Sequence, residues 1–312
     1  MKILITGIHG FVGSNLVERF KSNHDIYGLD IAAPEKEGVL KTYGWEDLNI
    51  IPKVDAIIHL AGMAHDTKDQ TKSEVYFDVN TGLTKKIYDW FLESDAQSFI
   101  FFSSVKAAAD SVKTNILTED IIPEPIGPYG QSKIKAEEYI LSKADKSYKK
   151  EKRYYILRPC MIHGPGNKGN LNLLYNIVRK GIPWPLGTFE NKRSFCAVDN
   201  ITYVVEQIIV RNNIPVGIYH VCDDEALSTN NLIKLMSESV NKKPHIWKIP
   251  QKLINIMATL GTQLHLPLTK ERLQKLTENY IVSNQKIKKA LAISDMPISA
   301  KEGLIRTFKS FK

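Results

Sequence analysis

The sequence of 312 residues predicts an α/β fold: a doubly wound parallel sheet followed by a smaller C-terminal α/β region. Three observations carry this prediction. Short apolar runs alternate with amphipathic helical patterns in the first half of the chain, which indicates parallel strands joined by crossover helices. A glycine-rich turn joins the first strand to the first helix. Turn residues become frequent after Arg158, where the regular alternation ends.

The predicted elements follow from hydrophobic periodicity. Continuous apolar, β-branched runs predict buried strands at residues 2–6, 25–29, 55–60, 98–103 and 154–157. Amphipathic spacing predicts helices at residues 11–21, 75–92 and 129–141. Later in the chain, a helix at 200–211 and a strand at 217–221 are expected to return to the sheet.

Composition narrows the class of protein. Hydrophobic residues make up 43% and charged residues 24%, as in ordinary globular proteins. No run reaches the roughly 18–20 apolar residues that cross a bilayer, so a cytoplasmic protein with no membrane span is expected. The net charge is +8, but the lysines of residues 143–153 do not alternate with aromatic side chains, so no nucleic-acid partner is expected. The three cysteines form no C-x-x-C pair, and no metal is expected.

The turn after the first strand carries the pattern of a dinucleotide site. Gly7, Gly10 and Gly13 lie between the first strand and the first helix, which Phe11 and Val12 open. Glycines allow a tight turn and a close backbone approach to a pyrophosphate, and the free N–H groups of a helix N-terminus favour its charge. The alternative interpretation is a plain tight turn. The strand before and the helix after favour the cofactor site.

Further cofactor contacts are predicted at the ends of the next two strands. Asp30 ends the second strand, where a carboxylate binds both adenosine ribose hydroxyls and repels a 2′-phosphate. It therefore favours NAD(H) over NADP(H), although a turn residue at a strand end is the alternative. Leu60, Ala61 and Gly62 end the third strand and should lie beside the cofactor, whereas His59 is expected to be a packed core histidine.

A candidate acid/base pair lies on the helix of residues 129–141. Tyr129 and Lys133 are four residues apart, so both side chains lie on one helix face. A tyrosine with an ordinary pKa of about 10 must lose about 3 units, or about 4 kcal/mol, to work at neutral pH. The charge of Lys133 and an oxidised nicotinamide are the expected sources. Ser104 follows the fourth strand, where a hydroxyl can hold the reacting oxygen opposite the tyrosine.

These motifs resemble the extended short-chain dehydrogenase/reductase family, in its NAD-dependent nucleotide-sugar epimerase/dehydratase branch, over nearly the whole chain. Residues 6–13 match T-G-x-x-G-x-x-G, and the family's catalytic Ser/Thr and Tyr-x-x-x-Lys match the residues named above. The resemblance implies that Asn80 bends its helix and positions the lysine through water. It also implies substrate contacts at Ser104, Asn170 and Arg193, the last matching a family arginine that contacts the nucleotide diphosphate.

The resemblance also implies two regions. Residues 1–162 form an NAD-binding Rossmann domain, with returns near 197–222. Residues 163–312 form mainly the nucleotide-sugar-binding region. The apolar content of the helices at 75–92 and 129–141, through which the family often dimerises, permits a homodimer.

One departure from the family pattern selects among reactions. Sugar 4,6-dehydratases carry an Asp-Glu pair directly after the catalytic hydroxyl, where this chain has Val105 and Lys106. Hydride transfer at sugar C4 remains. The leading hypothesis is a UDP-hexose or UDP-N-acetylhexosamine 4-epimerase, and the alternative is a UDP-4-keto-6-deoxy-sugar 4-reductase in polysaccharide precursor synthesis. A non-catalytic dinucleotide-sensing protein on the same fold is a remote alternative.

Overall fold

A central parallel sheet organises the chain in the computed structural model, which describes residues 1–64, 72–167, 169–264 and 268–311. Seven strands are ordered β3-β2-β1-β4-β5-β6-β9, and every neighbouring pair is parallel. The strands are β1 Lys2–Thr6, β2 Asp25–Leu29, β3 Lys41–Tyr43, β4 Ala56–His59, β5 Ser98–Phe102, β6 Arg153–Pro159 and β9 Gly217–Val221. A pair of short parallel strands, β7 Met161–His163 and β8 Phe195–Ala197, forms a second sheet.

The predicted fold class is confirmed, and so are the predicted strands to within one or two residues at their ends. The sequence does not predict β3, because its three residues form neither an apolar run nor a clear alternation and it lies at the edge of the sheet. The chain reverses direction across the sheet between β1 and β4. Ligands of open α/β sheets bind outside the carboxyl ends of the strands at such a switch point.

Helices cover both faces of the sheet. In the first two thirds of the chain they are α1 Phe11–Phe20, α2 Ser73–Tyr76, α3 Leu83–Glu93, α4 Pro128–Ser142, α5 Ala144–Lys149, α6 Asn170–Arg179 and α7 Val198–Val210. The remaining helices are α8 Thr229–Ser239, α9 Gln251–Gln263, α10 Lys270–Thr277, α11 Gln285–Leu291 and α12 Ala300–Ser310. Single 3₁₀ turns lie at Leu48–Ile50 and Val105–Ala107.

The prediction of one continuous helix over residues 75–92 is wrong. Six residues of π-helix, Phe77–Gly82, separate α2 from α3. A π-helical turn inserts an extra residue into the helical ladder, a departure found often at functional sites. Hydrophobic spacing does not reveal it, because the apolar residues on either side keep their helical period.

Three apolar clusters form the core. One lies between the sheet and the face covered by α1 and α7, and a second lies on the opposite face beneath α3 and α4. The third holds α6, α8, α9 and α12 together away from the sheet. The first two clusters fix the carboxyl ends of the strands relative to α1 and α4, which carry the predicted cofactor and catalytic motifs.

Candidate active site

The turn between β1 and α1 has two positions where a side chain would collide with backbone. Gly7 has a φ of +67°, in the left-handed region, and a Cβ there would lie 2.9 Å from the backbone nitrogen of Ala61. A Cβ on Gly13 would lie 2.7 Å from the carbonyl oxygens of both Gly7 and Ile8. Gly10 precedes α1 and makes no side-chain cap. The result is a bare backbone cradle at a helix N-terminus, which fits a pyrophosphate.

The side chains that open α1 have a packing role. Phe11 and Val12 are half-buried against the cluster beneath α1 and α7. The Phe11 ring lies 3.5 Å from the Cβ position of Gly164 and 3.8 Å from that of Gly166. Backbone rather than side-chain atoms of Phe11 and Val12 are therefore the groups that a phosphate could contact.

Asp30 lies at the carboxyl end of β2 beside the glycine turn. Its Oδ2 accepts a hydrogen bond from the backbone N–H of His9 at 3.2 Å, and its Oδ1 accepts one from Ile31 at 2.8 Å. These bonds fix a half-buried carboxylate against the turn. This position suits the predicted ribose contact, and it also gives Asp30 a structural task that the sequence did not indicate.

The end of β4 packs closely against both the glycine turn and the catalytic helix. His59 is buried and hydrogen-bonded to the hydroxyls of Thr6 at 2.7 Å and Thr84 at 2.9 Å. Burial holds its pKa well below the ordinary value, as does the nearby charge of Lys133, so it is a neutral core histidine. Leu60 is half-buried against the core, and the N–H of Ala61 donates to Thr6 Oγ1 at 3.0 Å.

Gly62 and Asn80 meet beside the catalytic lysine. A Cβ on Gly62 would lie 2.8 Å from Asn80 Oδ1 and 3.1 Å from Lys133 Nζ. Asn80 lies in the π-helical segment, where its Oδ1 accepts from the N–H of Met63 at 2.8 Å and its Nδ2 donates to Ser132 Oγ at 2.9 Å. Asn80 thus ties the loop after β4 to the helix that carries Lys133.

Ser104 and Tyr129 come together at the carboxyl edge of the sheet. Ser104 follows β5, is largely buried, and accepts a hydrogen bond from the N–H of Lys106 at 3.2 Å. Tyr129 lies in the first turn of α4, which begins with Pro128. The Tyr129 phenol lies beside the Ser104 side chain. One helical turn further on, Lys133 is buried, and its Nζ donates to the carbonyl of Phe102 at 2.9 Å.

Burial governs the protonation of both groups. It raises the pKa of the Tyr129 phenol, while the hydrogen bond to Ser104 lowers it in part. Burial lowers the pKa of Lys133 to about 8, and Glu137 opposes that change. The Lys133 ammonium is directed to the Phe102 carbonyl. An additional positive charge is needed to make the phenolate available.

A buried ion pair that the sequence did not predict lies directly behind these groups. Arg158 on β6 and Glu137 on α4 lie within 2.6 Å of each other, and both side chains are almost fully shielded from solvent. The hydroxyl of Ser103 donates to the same carboxylate. Ser103 precedes Ser104, and Glu137 lies one turn after Lys133, so the pair joins the two elements that carry the catalytic residues. The four-residue spacing from Lys133 to Glu137 was the available signal.

Lys106 is a second residue whose surroundings the sequence did not reveal. Its Nζ donates to the carbonyl of Asp110 at 2.6 Å and lies 4.7 Å from the centre of the Tyr280 ring. A Cβ on Gly130 would lie 2.3 Å from the Lys106 carbonyl, so glycine there lets the loop after β5 pack directly on α4. This packing helps to bring Ser104 against Tyr129.

The two remaining predicted substrate residues lie outside this cluster. Asn170 is the exposed first residue of α6, after Gly169. Arg193 already has partners, since its guanidinium lies 3.3 Å from Glu278 Oε1 and donates to the carbonyl of Lys275 at 3.1 Å. A diphosphate at Arg193 would compete with Glu278, which the sequence could not indicate.

The cysteine and histidine side chains near the end of β6 serve the core. Cys160 and Cys222, far apart in sequence, are buried neighbours, and burial holds the pKa of the Cys160 thiol well above its ordinary value. His163 is hydrogen-bonded to Thr307 at 2.9 Å and lies 3.3 Å from Asp223. Within residues 1–64, 72–167, 169–264 and 268–311, no group of three or more His, Cys, Asp or Glu could hold a metal ion. None of the helices in these ranges is long and apolar enough to cross a bilayer.

Comparison with known proteins places the chain in a family. The model of the NAD dependent epimerase/dehydratase family matches residues 3–222. The chain therefore belongs to this family, and the resemblance to extended short-chain dehydrogenase/reductases is confirmed. The family is NAD-dependent, and the glycine cradle, the fixed Asp30 and the Gly62–Lys133 contact fit that cofactor.

Two of the similar proteins are sugar 4-epimerases. The chain is 30% identical to the UDP-glucose 4-epimerase of Vibrio cholerae, over 80% of this chain and 78% of that protein. It is 26% identical to the N-acetyl-alpha-D-glucosaminyl-diphospho-ditrans,octacis-undecaprenol 4-epimerase of Escherichia coli O157:H7, over 98% of this chain and 94% of that protein. The solved UDP-glucuronic acid 4-epimerase of Bacillus cereus, in complex with NAD, superposes with a TM-score of 0.77 over 100% of this chain and 96% of that chain at 17% identity, which shows the shared fold.

Proposed function

We propose that the protein is an NAD-dependent 4-epimerase of a UDP-hexose or UDP-N-acetylhexosamine. The observation that carries the proposal is the grouping of Ser104 and Tyr129, with Lys133 one helical turn away, at the strand edge beside the glycine cradle. The 30% identity to a UDP-glucose 4-epimerase over four fifths of the chain supports this choice of reaction.

Each catalytic group has a chemical task in this reaction. Bound NAD supplies a hydride acceptor that later returns the hydride. Tyr129 takes the proton of the sugar C4 hydroxyl as that carbon is oxidised, and Ser104 holds the same oxygen by a hydrogen bond. The 4-keto sugar then presents its other face, and Tyr129 returns the proton to the oxygen. Carbon C4 is inverted with no net redox change.

Loss of the proton from Tyr129 depends on nearby positive charge, which Lys133 and the oxidised cofactor can supply. Without a further cation, burial keeps the phenol protonated. Oxidised NAD would supply such a positive charge, and Lys133, with a pKa of about 8, remains mostly charged at neutral pH. The phenolate therefore becomes available when oxidised cofactor is in place. Lys133 is also well placed to bind the nicotinamide ribose.

The function is tested with purified protein and no added reductant. Interconversion of UDP-glucose and UDP-galactose, or of the corresponding N-acetylhexosamines, is followed by nuclear magnetic resonance. Tyr129→Phe should lower turnover by about 10²-fold or more while cofactor remains bound, since a positioned acid/base has at least this worth. Tyr148→Phe, at an exposed tyrosine, is the matched control. Near wild-type turnover in Tyr129→Phe would remove Tyr129 from the mechanism.

The same experiment separates the alternatives. A 4-keto-sugar reductase would leave both UDP-sugars unchanged and would consume one NAD(P)H for each UDP-4-keto-6-deoxy sugar. A dinucleotide-sensing protein would bind cofactor and show neither activity. Ser104, Tyr129 and Lys133 serve the epimerase and the reductase alike, so only the substrate and the cofactor balance decide between them.

A lipid-linked sugar diphosphate is a second candidate substrate. The relative from Escherichia coli, named for such a substrate, aligns with 98% of the chain. Arg193, the proposed diphosphate contact, is held by Lys275 and Glu278 at the end of α10, and α10 packs against α9, whose outer side is apolar. Activity on a polyprenyl-diphosphate-linked N-acetylhexosamine but not on UDP-sugars would favour this candidate.

We also propose a cytoplasmic homodimer through α3 and α4. The two helices pack together, and the hydroxyl of the half-buried Tyr139 on α4 donates to Asp89 on α3 at 2.6 Å. Sedimentation velocity of the purified chain tests the assembly. A monomer at every protein concentration would contradict it.

A further inference from the structure

Helix α9 has a wider apolar face than its packing uses. The buried residues of α9 are Ile254, Ala258 and Gly261, on the side that faces the third apolar cluster. A second set of apolar side chains continues the same face but points to solvent, and each is about half exposed or more: Leu253, Ile256, Met257, Leu260 and Leu264. At 100° per residue, this second set covers an arc of about 100° next to the buried arc. Half of the apolar face is therefore left uncovered.

This stripe departs from the pattern of the other long helices. In α7 and α12, apolar residues lie mainly against the core, and scattered single exposures elsewhere need no explanation. In α9 and its C-cap residue Leu264, five exposed apolar residues lie within twelve positions at helical spacing. Contiguous exposed apolar surface of this kind marks an interaction site.

The charge around the stripe is strongly positive. Residues 242–276 contain seven lysines and arginines and one glutamate, a local excess of six in a chain whose net charge is +8. Lys248 lies before α9, and Lys252 lies in its first turn. Lys270 and Lys275 lie on α10, which packs against α9. The side chains of all four lysines are exposed. Two copies of this surface would repel each other, which disfavours self-association through it.

Trp247 places an aromatic side chain near the N-terminal end of α9. It lies four residues before α9, its backbone N–H donates to the carbonyl of Trp184 at 2.8 Å, and the residue is 57% exposed. Tryptophan combines an apolar ring with a polar N–H and favours the boundary between lipid and water. A short amphipathic helix with basic flanks and such a ring has the chemistry of an interfacial helix.

We propose that α9, together with Trp247 and the surrounding lysines, binds the surface of an anionic phospholipid bilayer. The helix lies in the plane of the interface, its exposed stripe enters the acyl boundary, and the lysines contact lipid phosphates. Charge complementarity selects anionic lipid over a second copy of the chain. Because α10 contacts both α9 and Arg193, the bound membrane lies beside the proposed diphosphate site.

The test is co-sedimentation of the purified full chain with vesicles. Vesicles of phosphatidylglycerol and phosphatidylcholine in equal parts should bind the protein, and vesicles of phosphatidylcholine alone should bind it far less. Binding should weaken as salt rises. Met257→Gln/Leu260→Gln should lower the partition constant about tenfold or more, because two apolar side chains no longer leave water. Val210→Gln/Val216→Gln, at exposed valines distant in sequence from α9, is the matched control and should bind as the wild type.

Two further measurements keep the result unambiguous. Turnover of the α9 variant on a soluble UDP-sugar should equal that of the control variant, which separates lost binding from lost folding. Tryptophan emission should shift to shorter wavelength with anionic vesicles, and Trp247→Phe should remove the shift. The proposal is overturned by absence of binding to anionic vesicles, by binding that the Met257→Gln/Leu260→Gln change leaves intact, or by self-association through α9 in place of lipid binding. Loss of epimerase activity alone would count against the proposed function and leave the membrane result standing.

Discussion

Neutralising Glu137 should destabilise the protein far more than neutralising its neighbour in sequence. The Arg158 guanidinium lies in the core with Glu137 as its ion-pair partner, at 2.6 Å, while another of its nitrogens, Nη1, has no hydrogen-bond partner among the described residues. Glu137→Gln leaves that charge buried and uncompensated. Removing one partner of a buried pair costs about 3–5 kcal/mol. The free energy of unfolding, measured with urea, should fall by an amount of this order.

Glu138→Gln is the matched control on the same helix. Glu138 is exposed and pairs with Lys135 at 2.7 Å on the surface, where such pairs contribute about 0–1 kcal/mol. The double change Glu137→Leu/Arg158→Met removes both charges and should recover much of the lost stability, because no buried charge is then unpaired. Equal unfolding free energies for Glu137→Gln and Glu138→Gln would refute the reasoning.

The same variant should alter the pH dependence of activity. Glu137 opposes the effect of burial on Lys133, whose pKa is about 8. Without the carboxylate, the pKa of Lys133 falls further, so the ammonium is lost at a lower pH. The alkaline limb of the turnover profile should therefore move to lower pH in Glu137→Gln and stay in place in Glu138→Gln. A purely structural role for Glu137 would leave this limb unmoved.

Three further changes test other parts of the site. Asp30→Ala should weaken NAD(H) binding and reduce the preference for NAD(H) over NADP(H). The control variant Asp25→Ala, at the exposed start of β2, should bind both cofactors as the wild type does. If a cofactor titration shows the wild-type preference for NAD(H) in Asp30→Ala, the assignment of Asp30 to the ribose is wrong. Arg193→Ala should raise the KM for a UDP-sugar by roughly one to two orders of magnitude, since charge-assisted hydrogen bonds contribute about 1.5–3 kcal/mol. An equal loss of affinity for an uncharged sugar ligand would contradict a role of Arg193 in diphosphate binding. Burial, and to a smaller extent the charge of Arg158, lowers the pKa of His220 to about 3 in the folded protein. As the pH falls below about 6.5, His220 therefore takes up a proton in the unfolded chain but not in the folded one, which favours unfolding. Between about pH 7 and about pH 5, the free energy of unfolding should fall by about 2 kcal/mol more in the wild type than in His220→Gln. An equal fall in both proteins, measured by urea unfolding at each pH, would show that His220 does not cause the pH dependence.

The sequence by itself determined the architecture and the class of chemistry. Buried parallel strands require continuous apolar runs, so β1, β2, β4, β5 and β6 could be predicted from the order of apolar residues along the chain. The glycine turn and the Tyr129–Lys133 spacing are local patterns whose meaning depends on a few neighbouring residues. Such short-range constraints can be recognised without knowledge of distant contacts.

Tertiary structure decided how the site is held and what surrounds it. The Glu137–Arg158 pair joins residues 21 positions apart, and the Arg193–Glu278 pair joins residues 85 apart, so no local pattern announces either. The direction of Lys133 toward the Phe102 carbonyl, and the pKa of Tyr129 that burial raises, depend on which groups the fold brings together. The exposed stripe of α9 has the periodicity of any packed helix. Whether an apolar face is covered depends on what the rest of the chain places against it, and this only the folded structure contains.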